Sequence, residues 1–437
     1  FHAGQTMTAD DVVFSLGRAQ QPTSGVKGLL TAIDSVSKVD DLTIRIKTKG
    51  PNPLLPSYLT NIFVMSKAWA EANNSVTVQD FKEKKDNFAV RNANGTGPYT
   101  LVSREQDVRT VMKRFDGYWG KGMFPLGVTE INYVTIKSDA TRIASLLSGE
   151  VDFVQDVPVQ DIDRLAKTAN LRVNFGPENR SIFLGFNVGS GDLASSDIKG
   201  KNPFADVRVR RAVSMAIDRE AIKAKVMRGQ SVPSGMIAPP FVNGYTKELD
   251  KVPAVDVDGA KKLLAEAGYA AGFSVALNCP NDRYVSDEAI CQAVVAMLAR
   301  IGIKVTLVSQ SKTKHFPLIE KNPPETDFFL LGWGVPTYDS HYIFSFLYHS
   351  RSGKEGSFNG TRYANPDMDK LIAGLTSETD QAKRNATIAE IWKKVHADTV
   401  YAALHNQTLA FAMSKDWDLP TSPENAVRIK FFGPVAK

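Results

Sequence analysis

The alternation of apolar and polar residues predicts helices and strands in turn along most of the chain. Near the start, Thr8 and Asp11 have the spacing of a capping box, and apolar residues then recur at helical intervals as far as Ala19. Strict alternation predicts half-buried strands, and short apolar runs between turn residues predict buried ones. The strands expected on these grounds are residues 42–47, 100–104, 109–114, 128–136, 151–154, 273–277, 303–308 and one beginning at 328.

Capping residues and glycines mark where several helices begin and end. Ser138, Asp206 and Ser286 each stand where an N-cap is expected, and Gly149 and Gly302 stop the first and the third of these helices. The other helices expected are residues 258–268 and 382–398. The strand, helix and strand that run from 273 to 308 predict a parallel crossover, which is typical of an α/β protein.

The length of 437 residues exceeds what one hydrophobic core ordinarily organises, so two or three domains are expected. A proline-rich passage containing Pro233, Pro239 and Pro240 separates two periodic regions and is a candidate crossing between lobes. Two α/β lobes that are joined in mid-chain can close on a ligand about a hinge.

Composition narrows the classes of function. Lys and Arg number 53 against 47 Asp and Glu, a net charge of +6, and the basic residues are scattered along the chain. Nucleic-acid binding would require a basic cluster, so no nucleic-acid partner is expected. The longest apolar stretch, residues 328–336, is far shorter than the roughly 20 residues that cross a bilayer. The chain opens without a leader pattern, and part of the mature N-terminus is expected to be missing.

Two cysteines, Cys279 and Cys291, occur in the chain, and their spacing matches no zinc motif. Cys279 would end a strand, and Cys291 would lie in the first turns of the following helix. The sequence is therefore consistent with a disulfide in an oxidising compartment or with two buried free thiols.

Motifs of catalysis and cofactor binding are missing from the sequence. It has no nucleophile elbow, phosphate loop, zinc-protease helix or EF-hand pattern, so no catalytic residue, cofactor or metal is expected. His341 and His349 flank an aromatic run, where contact with a ligand or a metal is the alternative to ordinary packing. A hydrolase or transferase with a cleft between lobes is the alternative function, and it would need a nucleophile and base that the sequence does not show.

The strongest candidate for a binding site follows the buried strand that begins at residue 328. Trp333 and Gly334 lead into a loop that contains Tyr338 and Asp339. Loops at the carboxyl ends of strands bind ligands in α/β sheets. Trp333 offers an apolar wall, Gly334 lets a ligand approach the backbone, and Asp339 can accept hydrogen bonds from a cationic group. An aromatic core with a capping Asp is the alternative interpretation.

Several stretches, in chain order, resemble the bacterial solute-binding proteins of the peptide and nickel ABC-importer type, family 5. Each stretch is weak by itself, but the ordered set spans nearly the whole chain. The stretches are FHAG at 1–4, TADDVVFSL at 8–16, GTGPY at 95–99, LLSGEVD at 146–152, FADVRVRRA at 204–212, and residues 260–268 and 298–305.

The resemblance implies an α/β architecture, the two-lobed type II periplasmic-binding-protein fold, with an additional α+β subdomain. It places the extra subdomain of lobe I in residues 1–127 and the lobe I core in 128–232, completed by about 411–437. Lobe II would be residues 233–410. It also implies that a stretch of the family pattern, including a strand of lobe I, precedes this sequence.

The implied function is capture of a peptide or peptide-like solute between the lobes and its delivery to the permease of an ABC importer, without catalysis. The protein would be a monomer in the periplasm or at the cell surface. A chemoreceptor or chaperone-like binding role with the same fold is an alternative. The expected ligand contacts are Trp333, Gly334, Tyr338, Asp339 and His341, with Asn187 and Gln407 as further polar contacts.

One departure from the family pattern concerns the ligand. In peptide-binding members, an Asp three residues after the loop tryptophan pairs with the α-ammonium group of the peptide. Here Pro336 holds that position, and the nearest acid is Asp339. A modified or longer peptide, an opine or sugar conjugate, and a metal chelate are therefore all alternatives to a standard dipeptide.

Overall fold

The computed structural model describes residues 1–80, 86–353 and 355–435, so the predicted ranges 1–127, 233–410 and 411–437 each include residues that lie outside the described part. The helices are α1 (Ala9–Ala19), α2 (Leu55–Leu59), α3 (Lys67–Ala72), α4 (Asp139–Ser148), α5 (Ile162–Ala166), α6 (Val207–Ala216), α7 (Arg219–Ala221), α8 (Val257–Glu266), α9 (Asp287–Ala299), α10 (Lys312–Glu320), α11 (Ser340–Ile343), α12 (Pro366–Gly374) and α13 (Gln381–Asp398). The strands are β1 (Ile33–Asp40), β2 (Thr43–Thr48), β3 (Tyr99–Glu105), β4 (Arg109–Arg114), β5 (Glu130–Val134), β6 (Phe153–Val154), β7 (Leu171–Phe186), β8 (Ser231–Pro233), β9 (Phe273–Pro280), β10 (Ile303–Gln310), β11 (Phe328–Gly334), β12 (Tyr401–Ser414), β13 (Trp417–Asp418) and β14 (Gly433–Pro434).

Most helix ends follow the local signals in the sequence. Gly149 takes the left-handed conformation at φ +79° and ends α4, and the Asp206 side chain caps α6. Ser286 occupies the predicted N-cap position of α9, but it has φ +55° and its side chain makes no capping hydrogen bond among the described residues. The carboxylate of Asp287 instead accepts two backbone N–H groups of the preceding loop and ties that loop to the helix.

A central sheet of seven strands carries the architecture. The strand order is β10–β9–β11–β7–β12–β6, and β8 pairs with β12. β9 and β10 pair in parallel along their full lengths, which confirms the predicted parallel unit around α9. β11 also pairs in parallel with β9, so the carboxyl ends of β9 and β11 lie at the same edge of the sheet.

The long strands β7 and β12 connect two parts of this sheet. The second half of β7 pairs with β11, whereas the second half of β12 pairs with β6. Between these regions the ladder of β7 and β12 is irregular, with a register shift between Asn406 and Thr408. Irregular pairing lets a strand bend locally. The irregularity lies opposite residues 178–180, because Asn406 pairs with Ser181 and Thr408 pairs with Pro177.

Hydrophobic clusters cover both faces of the sheet, because side chains alternate along each strand. Ile182 and Leu184 belong to one cluster and Phe183 to the other. Helix α6 packs on α8, so residues on either side of the predicted boundary at 232 lie together. β4 pairs with β5 across the predicted boundary at 127. The domain ranges themselves stay predictions.

The N-terminal region has its own small sheets. β1 and β2 form an antiparallel hairpin, and β3, β4 and β5 form a three-stranded sheet that contains the predicted hairpin of β3 with β4. Leu16, Leu30, Ile33 and Leu55 are buried together between α1, α2 and the β1–β2 hairpin. This part is therefore α+β with a core of its own.

The two cysteines form a disulfide between the end of β9 and α9. Of the two alternatives that the sequence left open, the structure has the bonded one. Both residues are buried, and the bond joins a strand of the central sheet to the helix that covers it.

Candidate functional site

A cavity of about 410 Å³ opens where the crossing strand β7 meets the carboxyl ends of β9 and β11. This volume lies within the usual range for small-molecule sites. The residues that line it are Glu178, Asn179, Arg180, Arg283, Tyr284, Phe316, Glu320, Leu331, Gly332, Trp333, Gly334, Val335, Pro336, Tyr342, Phe358, Pro423 and Glu424. Trp333 and Gly334 are the two of the sequence-predicted contacts that lie in this lining.

One wall of the cavity is aromatic. The Trp333 ring lies 5.0 Å from the Phe358 ring and 5.7 Å from the Tyr342 ring, measured between centroids. Trp333 is only 8% exposed, yet its Nε1–H has no hydrogen-bond partner among the described residues. A buried indole N–H ordinarily finds an acceptor, so this group is available to a bound molecule.

Two guanidinium groups contact the single ring of Tyr284. The Cζ atom of Arg283 lies 5.1 Å from the ring centroid, and that of Arg180 lies 5.7 Å from it. The Tyr284 hydroxyl donates to the carbonyl of Gly332 at 3.1 Å, which fixes the ring against β11. Arg180 has a carboxylate partner in Glu178, but Arg283 makes no ion pair within the described residues.

Acidic groups lie on other sides of the cavity. Glu178 is 3% exposed and accepts from Arg180 Nε at 3.0 Å and from Gln407 Nε2. Glu320, at the end of α10, is exposed, and its carboxylate makes no ion pair in the described part of the chain. Counting ion pairs among the described residues alone, the cavity therefore presents one unpaired cation, Arg283, and one unpaired anion, Glu320.

Gln407 does not line the cavity, but it contacts the lining residue Glu178. Its Nε2 donates to Glu178, and its Oε1 accepts from the backbone N–H of Val285 at 3.3 Å. Gln407 is thus a link between the two crossing strands and the loop that carries Arg283. The predicted direct contact between Gln407 and a ligand stays a prediction.

Asp339 is engaged in a buried ion pair. Its two carboxylate oxygens accept from Arg384 Nη1 and Nη2, each at 2.7 Å, and from Asn243 Nδ2 at 3.0 Å. Burial opposes ionisation of this carboxyl, but the hydrogen bonds from Arg384 and Asn243 outweigh burial and keep its pKa below the ordinary value. Asp339 also caps α11 through the N–H of His341. The geometry supports a structural role, and Asp339 is not in the cavity lining.

The other three predicted contacts are distributed around the site. Tyr338 borders it, and its hydroxyl donates to the lining residue Glu424. His341 is buried, which lowers its pKa to about 4, and it does not line the cavity. Asn187 follows the far end of β7, where its amide donates to Asp327 at 3.1 Å. The structure does not bring Asn187 to the cavity.

Sequence reasoning missed Arg180, Arg283 and Glu320. The signal that could have found Arg283 is its position, because it follows β9 at the edge where β11 also ends. Arg180 and Glu320 have no comparable local signal. They reach the cavity only because β7 and α10 pack beside β11.

In the described ranges, no group of three or more His, Cys, Asp or Glu side chains is arranged to hold a metal ion. Within the same ranges, no helix is both long and apolar enough to span a membrane.

Comparison with known proteins gives the family. The family model described as "Bacterial extracellular solute-binding proteins, family 5 Middle" matches residues 1–355. The glutathione-binding protein GsiB of Pectobacterium atrosepticum is 26% identical over 423 residues, which cover 95% of this chain and 77% of GsiB.

Solved structures give the fold. The ABC transporter substrate-binding protein CtaP of Listeria monocytogenes superposes with a TM-score of 0.83 at 20% identity, covering 100% of this chain and 86% of CtaP. A dipeptide-binding protein of Pseudoalteromonas sp. SM9913 in complex with Met-Leu has a TM-score of 0.75 at 23% identity, covering 99% of this chain and 84% of that protein.

These similarities confirm the predicted fold class, the two-lobed α/β fold of periplasmic binding proteins. The relatives of this chain are the substrate-binding components of ABC importers. They are periplasmic or extracellular proteins that work with ABC permeases. The chain belongs to the bacterial extracellular solute-binding proteins of family 5.

Proposed function

We propose that this protein captures a peptide-like solute that carries both a carboxylate and an ammonium group, and delivers it to the permease of an ABC importer. The observation that carries the proposal is the pair of unpaired charges in the cavity. Arg283 offers a guanidinium to a carboxylate, and Glu320 offers a carboxylate to an ammonium group. Charge-assisted hydrogen bonds of this kind are stronger than those between neutral groups.

The walls support a solute with apolar side chains between these charged ends. Trp333, Phe316 and Phe358 supply a flat apolar surface on one side. The free Nε1–H of Trp333 can donate to a carbonyl oxygen of a peptide backbone. With Pro336 in place of the usual acid, Glu320 takes over the role of the ammonium partner in this proposal.

Closure is proposed to bend the chain at residues 178–180 and at Gln407, where the ladder of β7 and β12 is irregular. The lobes would then divide inside β7 and β12 and not at residue 232. Glu178 and Gln407 join the two crossings at this point. A solute stabilises the closed state only if it binds that state more tightly than the open one.

The finer expectations follow from the same mechanism. We propose that the protein acts as a monomer in the periplasm or at the cell surface and releases its solute chemically unchanged. Mass spectrometry of solute recovered after prolonged incubation checks the last point. A cleaved or transferred product would favour the hydrolase or transferase alternative.

The test is isothermal titration calorimetry with dipeptides and tripeptides, including glutathione, and with their N-acetylated and C-amidated forms. Free peptides are expected to bind more tightly than either blocked form. Arg283→Gln is expected to weaken binding of the free carboxylate by about 10- to 100-fold, which corresponds to a lost charged hydrogen bond. Glu320→Gln is expected to weaken binding of peptides with a free ammonium group by a similar factor.

Arg300→Gln is the matched control, because Arg300 is exposed and does not line the cavity. Binding that is indifferent to Arg283→Gln and Glu320→Gln would contradict the proposal. Tight binding of an opine or a metal chelate, with no peptide bound, would contradict the peptide-like class and leave the importer function intact.

A further inference from the structure

A second cavity, of about 300 Å³, lies beside the outer edge of β12 at residues 401–403. Its walls come from α6, α7, α13 and the chain between Gly235 and Pro253. It shares no lining residue with the cavity around Trp333. The proposed peptide site therefore does not account for it.

A buried cation without a counter-ion lines this cavity. Arg219 is 3% exposed, and its guanidinium donates to the carbonyls of Ala403 at 2.6 Å, Ser214 at 3.0 Å and Ile217 at 3.2 Å. It also donates to the Ser214 hydroxyl at 2.9 Å. These bonds join α6 and α7 to β12, but every acceptor is neutral. No ion pair to Arg219 exists within the described residues, and burial lowers its pKa to about 10, which leaves it charged at neutral pH.

The hydrogen-bond count leaves room for one more acceptor. A guanidinium has five N–H groups, and the four bonds above account for four of them. A buried charge that lacks a counter-charge is costly in a medium of low dielectric constant. An anion placed in the cavity would supply both the missing acceptor and the missing charge.

Further positive charge surrounds the cavity. Arg211 and Lys251 line it and are both exposed, and no carboxylate occurs among the described lining residues. The neighbouring acid Asp250 is already engaged, because its Oδ1 accepts from Gly235 N at 3.0 Å and its Oδ2 from Tyr245 at 2.9 Å. The charged side chains among the described residues that line the cavity are therefore all cationic.

The remaining walls are apolar and aromatic. Tyr348, Trp392 and Tyr401 are all less than 10% exposed and line the cavity together with Ile237 and Val395. Such walls favour a ring-sized apolar body over a fully hydrated inorganic ion. We infer that this cavity is a second binding site, for a small organic anion that presents a carboxylate or phosphate group to Arg219 and an apolar body to Trp392 and Tyr401.

The test uses benzoate as the probe and benzamide as its uncharged control of the same shape, with saturation-transfer NMR and calorimetry on the whole protein. Benzoate is expected to bind saturably with a dissociation constant of about 1 mM or tighter. Benzamide is expected to bind at least about tenfold more weakly, since it lacks the charge that complements the cavity. Inorganic phosphate is expected to compete with benzoate.

Substitutions at exposed positions show which cavity benzoate occupies, and they are expected to leave the protein folded. Arg211→Gln and Lys251→Gln are each expected to weaken benzoate binding by about two- to fivefold. Lys261→Gln, at an exposed position on α8 outside the cavity, is expected to leave it unchanged. Circular dichroism confirms that each variant is folded.

Three results would overturn the inference. The first is benzoate binding no more tightly than benzamide. The second is benzoate binding that neither phosphate nor the Arg211 and Lys251 substitutions affect. The third is benzoate binding that Arg283→Gln abolishes and Lys251→Gln does not change, because that pattern places the probe in the cavity around Trp333.

Discussion

The hydroxyl of Tyr338, in the loop after β11, donates a hydrogen bond to the carboxylate of Glu424, in the segment after β12. Tyr338 has φ +53°, a conformation that residues other than glycine adopt only when their surroundings hold them there. Burial opposes ionisation of Glu424, but hydrogen bonds from Ser422, Tyr338 and Arg428 outweigh it and lower the carboxyl pKa to about 2. The contact joins two segments that both border the cavity.

Tyr338→Phe is expected to weaken the link between the two segments that border the cavity. Loss of one hydrogen bond of about 1 kcal/mol should weaken solute binding roughly fivefold and increase the radius of gyration of the solute-free protein. Calorimetry and small-angle X-ray scattering measure the two effects. Tyr133→Phe, at an exposed position on β5, is the control. Equal affinity and equal scattering for the Tyr338→Phe and Tyr133→Phe proteins would argue against the contact as a support of closure.

The ion pair of Asp339 and Arg384 is expected to be a major contributor to stability. Both side chains are largely buried, so Asp339→Ala leaves the Arg384 charge without its partner and should lower the free energy of unfolding by about 3–5 kcal/mol. Chemical denaturation measures the change. In the exposed pair of Lys370 with Asp367, Asp367→Ala should cost no more than about 0.5 kcal/mol. Similar losses at the two sites would show that Asp339 has no special structural role.

A fall in pH is expected to destabilise the protein already at pH values well above the pKa of ordinary carboxyl groups. Burial lowers the pKa of His315, His341 and His405 from 6.5 to about 4. A group with a depressed pKa in the folded state binds a proton more readily when unfolded. The contribution of such a histidine to the free energy of unfolding is therefore complete above pH 6.5 and is lost as the pH falls from 6.5 to 4.

Between these limits, the free energy of unfolding should fall by up to about 1.4 kcal/mol per pH unit for each histidine. His405→Gln should remove one such contribution and make the dependence less steep. Denaturant titrations at intervals between pH 7.5 and 4.5 provide the measurement. A free energy of unfolding that is constant over this range would show that these three histidines do not titrate as their burial implies.

The disulfide of Cys279 with Cys291 closes a short loop between β9 and α9. A loop with a sequence separation of 12 residues should stabilise the folded chain by about 3 kcal/mol through the restriction of the unfolded state. The Cys279→Ser, Cys291→Ser double variant should therefore unfold at lower denaturant concentration. The reducing agent dithiothreitol should likewise lower the denaturant concentration at which the wild-type protein unfolds, and it should leave that of the double variant unchanged. An unchanged midpoint in the double variant would contradict this contribution.

Local pattern was sufficient to predict many individual helices and strands and two residues of the candidate site. The alternation in β3 and β4, the glycine that ends α4 and the crossover of β9, α9 and β10 all depend on residues close together in the chain. Trp333 and Gly334 were predicted correctly as part of a strand end, and the structure places both in the cavity lining.

The remaining features were decided by contacts between residues far apart in the sequence. Asp339 had the local pattern of either a ligand anchor or a helix cap, and Arg384, 45 residues later, donates to both of its carboxylate oxygens. Arg180 and Glu320 become neighbours of Trp333 only after β7 and α10 pack beside β11. Periodicity indicates that a segment has a buried face but not which partner covers that face. The arrangement of charges in the cavity therefore depends on tertiary packing, whereas the helices and strands that carry those charges depend mainly on local sequence.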